Sequence, residues 1–421
     1  MTTGEAVALL VRTPDDLLGL CQRIQHAPRL AVDVEANGLF AYRASLCVLQ
    51  IAWPERDAIE VAIIDPQGLD LAPLRPIFGP DGPVKVLHDL TFDARLLEEV
   101  GVPLARVRDT SVAARFLGFV ATGLSSLLAS ELDVQLDKRF QQHDWARRPL
   151  APEHLTYLTG DVLHLLALDD HLAEKAEALD LAPEIEVECA HKLATAGAAP
   201  RDGRPGYVRI KGSAALDAPG RAVLRRLCQA REQAAAAADL PPFKVVGNEV
   251  LLELARRRPG TRAQLAAIPG ALAGRAARQA PAFLRAVAEG LQDGDIPEED
   301  RLLFDPPRPD KAAITRRRAR ENQVTGWRKA EAKRRALEEQ AILPGHCAQD
   351  LVELFLHHRP DDPALPAAIA AIPGLGERRL ARFGATFLEL ARSEPRAADP
   401  AARSDPHAAD EPAKGAREPA A

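Results

Sequence analysis

Apolar residues in positions 1–195 alternate between short runs typical of buried strands and longer runs with helical spacing. The first three strand-like runs are separated by short loops, which favours an antiparallel meander. The later runs alternate between strand and helix, so the whole pattern predicts a mixed sheet covered by helices. The predicted strands are 29–35, 45–53, 58–64, 84–88 and 106–109. The predicted helices are 91–100, 110–118, 123–131 and 152–178.

The rest of the chain has mainly helical periodicity. A Gly/Pro/Arg-rich stretch, RDGRPGYVRIKG, separates it from the first part. The last residues are mostly Ala, Pro and charged, a composition typical of disorder. These features divide the chain into three folded units, two linkers and a tail. The units are 1–195, 217–294 and 315–394, the linkers are 196–216 and 295–314, and the predicted disordered tail is 395–421.

The two helical units resemble each other. LLELARRRPGTRAQLAAIPG (251–270) matches LVELFLHHRPDDPALPAAIAAIPG (351–374) when small insertions are allowed. Such self-similarity predicts a duplicated helical module. Ahead of the second matching stretch lies TRRRARENQVTGWRKAEAKRR, with nine basic and two acidic residues. A run of this kind is either a solvated helix face or a surface for polyanions.

Composition limits the class of protein. With 421 residues, of which 47% are hydrophobic, the chain is long enough for several domains with cores of their own. It has no run of about 18 apolar residues, so no membrane span is expected. The N-terminus, MTTGEAVALLVRTPDDL, lacks the pattern of a signal peptide. The five cysteines are scattered without a CxxC, which favours a reducing cytoplasm and argues against a zinc site.

The net charge of −6 hides an uneven distribution. Residues 1–200 carry 17 Lys and Arg against 30 Asp and Glu, a balance of −13. Residues 201–294 carry 16 against 8, a balance of +8. Either the composition simply drifts along the chain, or the first part holds cations while the second attracts polyanions.

Two acids interrupt the first long strand, in the stretch LAVDVEANGL. Side chains alternate along a strand, so Asp33 and Glu35 point to the same face, with Cα atoms about 6.5 Å apart. Neighbouring like charges are costly unless a positive group lies between them. The pair is therefore either an exposed strand end or part of a cation site.

Three further residues add to this pattern. Asp93 lies in the first turn of a helix that follows the strand end VLHDL, where a carboxylate also simply complements the helix dipole. Tyr157 and Asp161 are four residues apart and share one face of the last long helix. Taken alone, Tyr157 is typical of a packing aromatic. Gly160 between them lowers helix propensity and would let a substrate or another backbone come close.

The combination of these motifs resembles the tyrosine-containing branch of the DEDD exonuclease superfamily. Over residues 20–390 the chain resembles the ribonuclease D family. The resemblance rests on LAVDVEANGL, VLHDLTFDARLL, LDKRFQQHDWARRPLAPEHLTYLTGDVLHL and GYVRIKGSAALDAPGRAVLRRLCQARE, the last of which leads into an HRDC-type helical domain. It implies an α/β ribonuclease H-like exonuclease domain, with a mixed sheet of an antiparallel meander plus parallel strands flanked by helices, followed by two all-α HRDC-like domains.

The resemblance also implies the chemistry. It assigns Asp33, Glu35, Asp93 and Asp161 as the metal-binding acids and Tyr157 as the residue that orients the attacking water. The implied reaction is 3′→5′ hydrolysis of RNA that releases nucleoside 5′-monophosphates, with transfer RNA precursors as the expected substrate. Four carboxylates suit two hard divalent ions, Mg²⁺ or Mn²⁺, about 3.5–4 Å apart. These ions would supply the positive charge between Asp33 and Glu35.

Cationic side chains are candidates for contacts with RNA. We expect Lys244, Arg225 and other basic residues of 201–294 to contact phosphates without reading the base sequence. Lys138 and Arg148 lie just before the last motif, and we expect them to line the entry to the catalytic cleft.

A glycine-rich turn in the second module allows two interpretations. IPGLGERRLARFG (372–384) resembles a helix-hairpin-helix turn. In that case Gly374 and Gly376 would present backbone N–H groups to a phosphate at a helix start. The alternative is an ordinary glycine turn between packed helices.

Two other functions remain open at this point. The same site would serve a 3′→5′ exonuclease acting on DNA, since nothing in the sequence directly recognises a 2′-hydroxyl. The third hypothesis is a non-catalytic RNA-binding protein built on a decayed nuclease, although all four acids and the tyrosine are present. A monomer is the default expectation for the assembly.

Overall fold

The computed structural model describes residues 8–197, 204–304 and 310–394. The predicted disordered tail, 395–421, and the first residues of the chain, 1–7, lie outside the described residues. Within the described ranges the chain forms one mixed α/β unit followed by two helical units.

A six-stranded mixed sheet forms the centre of the first unit. Its strands are β1 (Leu9–Val11), β2 (Arg29–Ala36), β3 (Leu46–Glu55), β4 (Ala58–Ile64), β5 (Val84–Leu87) and β6 (Val107–Asp109). Their spatial order is β1-β4-β3-β2-β5-β6. The predicted antiparallel meander of β2, β3 and β4 is confirmed, and β5 and β6 add in parallel beside β2. The sequence does not predict β1, which pairs in parallel with β4, because so short a strand shows no clear alternation.

Helices cover both faces of this sheet. They are α1 (Pro14–Ile24), α2 (Arg75–Phe78), α3 (Leu90–Glu99), α4 (Thr110–Phe116), α5 (Leu124–Leu132), α6 (Pro152–Leu163), α7 (Leu165–Ala178) and α8 (Ala182–Ala196). The single helix predicted over 152–178 is wrong, since the chain breaks at His164 into α6 and α7. Apolar residues keep their helical spacing through both helices, so periodicity alone does not show the break.

The two faces of the sheet bury different side chains. On one face, Leu30, Val32 and Val34 of β2 pack in a cluster with residues of α1 and α3. On the other face, Ala31 packs with residues of α5, α6 and α7. Because strand side chains alternate, Asp33 continues the row of Ala31. The acids of β2 therefore face α6 and its neighbours.

The first helical unit has a hydrophobic core of its own. Its helices are α9 (Ala218–Ala237), α10 (Pro242–Val245), α11 (Asn248–Arg257), α12 (Arg262–Ala266), α13 (Ala276–Asp293) and α14 (Glu298–Phe304). Tyr207, Val208 and Ile210 are buried in the same core, so the prediction that 196–216 is a linker is wrong for its described part. The stretch packs as turns and one short 3-10 helix (Ser213–Ala215), which is why its Gly and Pro residues look like those of a linker.

The second helical unit is built around a long helix. Its helices are α15 (Lys311–Arg335), α16 (Glu339–Ile342), α17 (Gly345–His357), α18 (Leu365–Ala370) and α19 (Glu377–Arg392). Trp327 of α15 packs edge-on against Phe383 and Phe387 of α19. The predicted linker 295–314 also needs correction, because it contains α14 and the start of α15, and its Ile296 is buried in the core of the first helical unit.

The second helical unit packs against α8 of the first unit. Arg378 pairs with Asp180 and with the buried Glu184. Arg379 is 1% exposed, and its guanidinium carbon lies 5.6 Å from the ring centroid of Phe116 in α4. These arginines are therefore used in packing one unit onto another.

The glycine-rich turn between α18 and α19 lies inside this contact. A Cβ atom on Gly374 would lie 2.5 Å from Nε2 of His346 and 3.0 Å from Cγ of His191. A Cβ atom on Gly376 would lie 3.2 Å from Cγ2 of Val187. Protein side chains thus occupy the space in front of the turn. It is a glycine turn between packed elements, as the second of the two interpretations predicts.

The described residues also bear on two features considered from composition, which are membrane-spanning helices and the state of the cysteines. Across the three described ranges, no helix is both long enough and apolar enough to cross a membrane. All five cysteines are free thiols, and four of them are buried.

Candidate metal centre

Strand β2 places Asp33 and Glu35 on the face of the sheet that α6 covers. Asp33 lies opposite Gln50 of β3, and Glu35 lies opposite Val48. Asp161 of α6 completes the group: one carboxylate oxygen from each of the three acids lies within 4.8 Å of the others. The structure thus brings together three of the four acids that the sequence singled out.

Helix α6 carries Tyr157 and Asp161 into the same cleft. The helix begins at Pro152, where the missing N–H is harmless. His154 Nδ1 accepts the backbone N–H of Ala151 at 3.1 Å and so helps to cap the first turn. Residues four apart lie on one helix face, and both the phenol and the carboxylate line the cleft.

Aromatic residues hold the ring of Tyr157, which is 7% exposed. Its centroid is 5.7 Å from that of Phe140 in an edge-on contact and 5.7 Å from that of Trp145 in a tilted one. Such contacts favour a defined orientation of the ring. Sequence reasoning assigned no role to Phe140 or Trp145, although both belong to the stretch LDKRFQQHDW that carries part of the family resemblance.

Asp93 lies deeper than the other acids. It occupies the first turn of α3, as predicted, and is 6% exposed. Burial raises its pKa well above the usual value, and the charges of Asp33 and Asp109 raise it further. Asp93 is not part of the 4.8 Å group, but its Oδ2 is buried without a hydrogen-bond partner among the described residues. An orphaned carboxylate oxygen is costly and fits a ligand of a cation.

Burial makes negative charge in this cluster unfavourable. It raises the pKa of Asp33 to about 7, that of Glu35 to about 9 and that of Asp161 to about 8. Repulsion adds to burial, because Asp33 and Asp161 act on Glu35, and Asp33 acts on Asp161. A divalent cation between these oxygens would reverse both effects. Carboxylates are the ligands that Mg²⁺ and Mn²⁺ prefer, so the residues fit the implied divalent ions.

A buried ion pair fixes the start of α3. Lys192 of α8 donates to Oδ2 of Asp109 and to Oδ1 of Asp89, both at 2.7 Å. Asp109 also accepts the backbone N–H groups of Asp89 and Leu90, at 3.0 and 3.1 Å, and caps α4. The helix held in this way carries Asp93. Sequence reasoning missed the contact, since only the fold brings α8 beside β6.

The acids open into a cleft of about 460 Å³. Its wall includes His88, Phe92, Asp137 and Lys138. Asp137 places a further negative charge near Asp161, whose pKa it helps to raise. Sequence reasoning did not single out Asp137, His88 or Phe92 as cleft residues. Asp137 and His88 lie outside the helices and strands, and Phe92 lies in α3 beside Asp93.

Of the two cations predicted at the entry to this cleft, Lys138 lines it and Arg148 does not. Arg148 forms a two-pronged pair with Asp65 at 2.6 and 2.7 Å. It also donates to the carbonyl oxygens of Cys47 and Trp145. Its guanidinium holds the loop before α6 against the sheet, so the prediction that Arg148 contacts nucleic acid is corrected. Lys138 is exposed in the cleft wall.

The two candidate cations of the first helical unit have different surroundings. Lys244 Nζ lies 4.0 Å from the ring centroid of Phe40, in the loop after β2. It shares a surface hollow with Arg275 and Arg278. Arg225 is half-buried on α9, and its charge acts on an acidic residue of α13. Lys244 therefore adjoins the unit that carries the acids.

Comparison with known proteins identifies both kinds of unit. The 3′-5′ exonuclease family matches residues 9–177, and the HRDC domain family matches residues 220–287. A curated ribonuclease D of Jannaschia sp. (strain CCS1) is 32% identical over 261 residues, which cover 61% of this chain and 67% of that protein. The ribonuclease D of Gluconacetobacter diazotrophicus is 30% identical over 313 residues, which cover 73% of this chain and 78% of that protein.

A solved structure shows the same fold. The crystal structure of Escherichia coli RNase D, described as an exoribonuclease involved in structured RNA processing, matches with a TM-score of 0.64 and 22% identity. The match covers 93% of this chain and 100% of that chain. The predicted ribonuclease H-like exonuclease domain and the HRDC domain that follows it are confirmed, and the HRDC match lies within the first helical unit. The chain belongs to the ribonuclease D family of 3′→5′ exoribonucleases.

Proposed function

We propose that this protein removes nucleotides from RNA 3′ ends by hydrolysis with two divalent metal ions, releasing nucleoside 5′-monophosphates. The observation that carries the proposal is the convergence of Asp33, Glu35 and Asp161, whose carboxylate oxygens lie within 4.8 Å of one another. Asp93, buried nearby with an unpartnered oxygen, would be the fourth ligand. Two ions held by such acids lower the pKa of a water, orient the substrate and stabilise the leaving oxygen.

In this proposal Tyr157 positions the attacking water. Burial raises its pKa, and the charges of Asp161 and Glu35 raise it further, so the phenol stays protonated at neutral pH. A protonated phenol forms a hydrogen bond to the water but is not its base. The contacts with Phe140 and Trp145 restrict the orientation of the ring, which lines the same cleft as the acids.

The wall of the cleft suits the end of a single strand. Phe92 lies next to Asp93 and is 42% exposed, and an exposed aromatic face stacks on a base without reading its identity. Lys138 lies in the same wall and offers a positive charge to a backbone phosphate. Without such a cation, the phosphate would face Asp137 and the acids of the site.

The first helical unit offers further cations beside the catalytic unit. The hollow of Lys244, Arg275 and Arg278 adjoins the loop that follows β2, through the contact of Lys244 with Phe40. We propose that these residues contact phosphates upstream of the 3′ end, as a structured substrate such as a transfer RNA precursor would require. Contacts of this kind weaken as the salt concentration rises.

The direct test offers the protein a 3′-tailed RNA and a DNA of the same sequence, each with Mg²⁺, Mn²⁺ or EDTA. We expect stepwise shortening of the RNA from its 3′ end, release of 5′-monophosphates and no reaction in EDTA. Preference for DNA would favour the hypothesis of a DNA exonuclease. Binding without cleavage with every metal would contradict catalysis altogether. A transfer RNA precursor compared with an unstructured RNA of equal length tests the proposed substrate.

A further inference from the structure

Gln50 is a buried polar residue that the proposed mechanism does not use. It lies on β3 with 0% exposure. Neither its Oε1 nor its Nε2 has a hydrogen-bond partner among the described residues. Buried amides are normally paired, because an unpaired amide loses its bonds to water without replacement. Gln50 therefore needs a partner in another state of the protein.

The register of the sheet indicates which residue that partner is. Gln50 stands directly opposite Asp33 of β2 and, on its other side, opposite Ile63 of β4. Opposite residues of antiparallel strands point to the same face, with Cβ atoms about 4.5–5.5 Å apart. Of these two neighbours only Asp33 can accept a hydrogen bond.

Most of the other neighbours in this layer are apolar. Val48 and Ala52 lie two positions away on β3 and point to the same face as Gln50. Leu158 and Val162 of α6 are buried in the clusters that cover this face. The polar side chains that α6 brings to this face, Tyr157 and Asp161, line the cleft together with Asp33. Of the two residues in register with Gln50, only Asp33 therefore offers its amide an acceptor.

We propose that Gln50 is a positioning residue for Asp33. When the site holds a cation, the Nε2 of Gln50 would donate a hydrogen bond to one oxygen of the Asp33 carboxylate and leave the other oxygen directed at Glu35 and Asp161. This inference rests on the proposed metal-dependent function. The bond favours the charged form that a metal ligand requires and selects one orientation of the carboxylate. Outer contacts of this kind typically contribute about 10- to 100-fold to metal affinity or activity.

The variant Gln50→Met tests the inference, because methionine keeps the length of the side chain and removes the amide. Ile63→Leu is the matched control, since it changes packing on the other side of Gln50 without touching an acid. The probe is Mn²⁺ alone, added to the full chain and followed by titration calorimetry and by the rise in the unfolding midpoint. The kcat and KM values for a 3′-tailed RNA give a second measurement.

We expect Gln50→Met to unfold in EDTA at the wild-type midpoint or above it, because removing an unpaired buried amide is neutral or stabilising. We expect it to bind Mn²⁺ about 10- to 100-fold more weakly than wild type and to lose kcat with little change in KM. Ile63→Leu should bind Mn²⁺ as wild type does.

The possible results separate this inference from the proposed function. Equal Mn²⁺ affinity in Gln50→Met and wild type would overturn the role of Gln50 and leave the metal site intact. A large drop of the midpoint in EDTA, or failure to fold, would also overturn it, because the amide would then be a structural group of the folded state. If the wild-type protein does not bind Mn²⁺, the proposed function itself fails.

Discussion

Lys192 of α8 lies 2.7 Å from Oδ2 of Asp109 at the end of β6, and this pair holds the first turn of the helix that carries Asp93. The Asp109 side chain is fully buried, and that of Lys192 is 16% exposed. Burial by itself would raise the pKa of Asp109. The charge of Lys192 and the hydrogen bonds to the carboxylate outweigh burial and hold that pKa below its usual value.

Lys192→Met should therefore weaken both the fold and the metal site. A buried charge left without its partner typically costs about 3–5 kcal/mol, which denaturant unfolding in EDTA would measure. We also expect weaker Mn²⁺ binding, because α3 loses its anchor. Lys175→Met is the control: its partner Glu131 lies outside the wall of the cleft. If Lys192→Met is destabilised but binds Mn²⁺ as wild type does, the ion pair does not support the metal site.

Asp161→Asn and Tyr157→Phe should reduce hydrolysis to different degrees. Loss of a metal ligand removes several kcal/mol of transition-state stabilisation, so we expect Asp161→Asn to lower kcat by at least about 10³-fold. Tyr157→Phe leaves the acids in place and removes one hydrogen bond to the water, so a loss of about 10²-fold is expected. Single-turnover rates on a 3′-tailed RNA measure both. A greater loss in Tyr157→Phe than in Asp161→Asn would contradict the assigned roles.

The metal-free protein should lose stability as the pH rises. The pKa values of Asp33, Glu35 and Asp161 are raised in the folded state to about 7, 9 and 8. The unfolded chain releases these protons at about pH 4. Between that pH and the raised pKa values, the unfolded chain therefore binds fewer protons than the folded state. Under that condition the free energy of unfolding falls with rising pH, over a window from about pH 4 to about pH 9.

Denaturant unfolding at pH 6 and pH 9, in EDTA and in Mg²⁺, measures this dependence. Mg²⁺ should reduce it, because a bound cation compensates the charges that repel one another. The double variant Asp33→Asn/Glu35→Gln should show a flatter dependence in EDTA than wild type. A metal-free protein that gains stability from pH 6 to pH 9 would contradict the raised pKa values.

Lys138→Met and Arg148→Met should separate contact with RNA from stability. Lys138→Met should raise the Kd for RNA and leave the unfolding midpoint unchanged. The slope of the logarithm of the binding constant against the logarithm of salt concentration should become shallower by about 0.7, as expected for one lost phosphate contact on a single strand. Arg148→Met leaves the partly buried Asp65 without its partner and should cost about 3 kcal/mol of stability. A loss of stability in Lys138→Met, with weaker RNA binding but unchanged stability in Arg148→Met, would contradict the structure.

Gly374→Ala should loosen the contact between the second helical unit and α8. Gly374 has φ of 78° and the equivalent Gly270 has φ of 83°, so alanine at either position costs about 1–2 kcal/mol for backbone conformation. Only at Gly374 would the new Cβ meet a residue across the contact, His191 of α8, whereas at Gly270 it would meet Val250 of the same unit. Hydrogen exchange in α8 should rise in Gly374→Ala and not in the control Gly270→Ala. Loss of RNA binding without that rise would favour the phosphate-binding hairpin instead.

Much of the metal centre follows from local patterns in the sequence. The alternation of a strand places Asp33 and Glu35 on one face, and helical spacing places Tyr157 and Asp161 on another. Both arrangements are present in the structure. The first-turn position of Asp93 was also predictable, because a helix begins soon after the strand end.

Other features could not be predicted from local patterns. The break between α6 and α7 interrupts a periodic stretch that gives no sign of it. Arg148 looks like any basic residue near a site until the fold places Asp65 beside it. Tyr207 and its neighbours lie in a stretch whose composition is that of a linker, yet they pack into the core of the first helical unit.

By itself the sequence determined which acids share a strand face or a helix turn, and which families the motifs resemble, because periodicity and side-chain chemistry act over a few residues. Only the tertiary structure decided that Asp161 joins Asp33, that Lys192 reaches Asp109 and that Gln50 stands opposite Asp33. These contacts join parts of the chain that are distant in sequence. They depend on strand register and helix packing, which are set by the burial of the whole core and not by any single stretch.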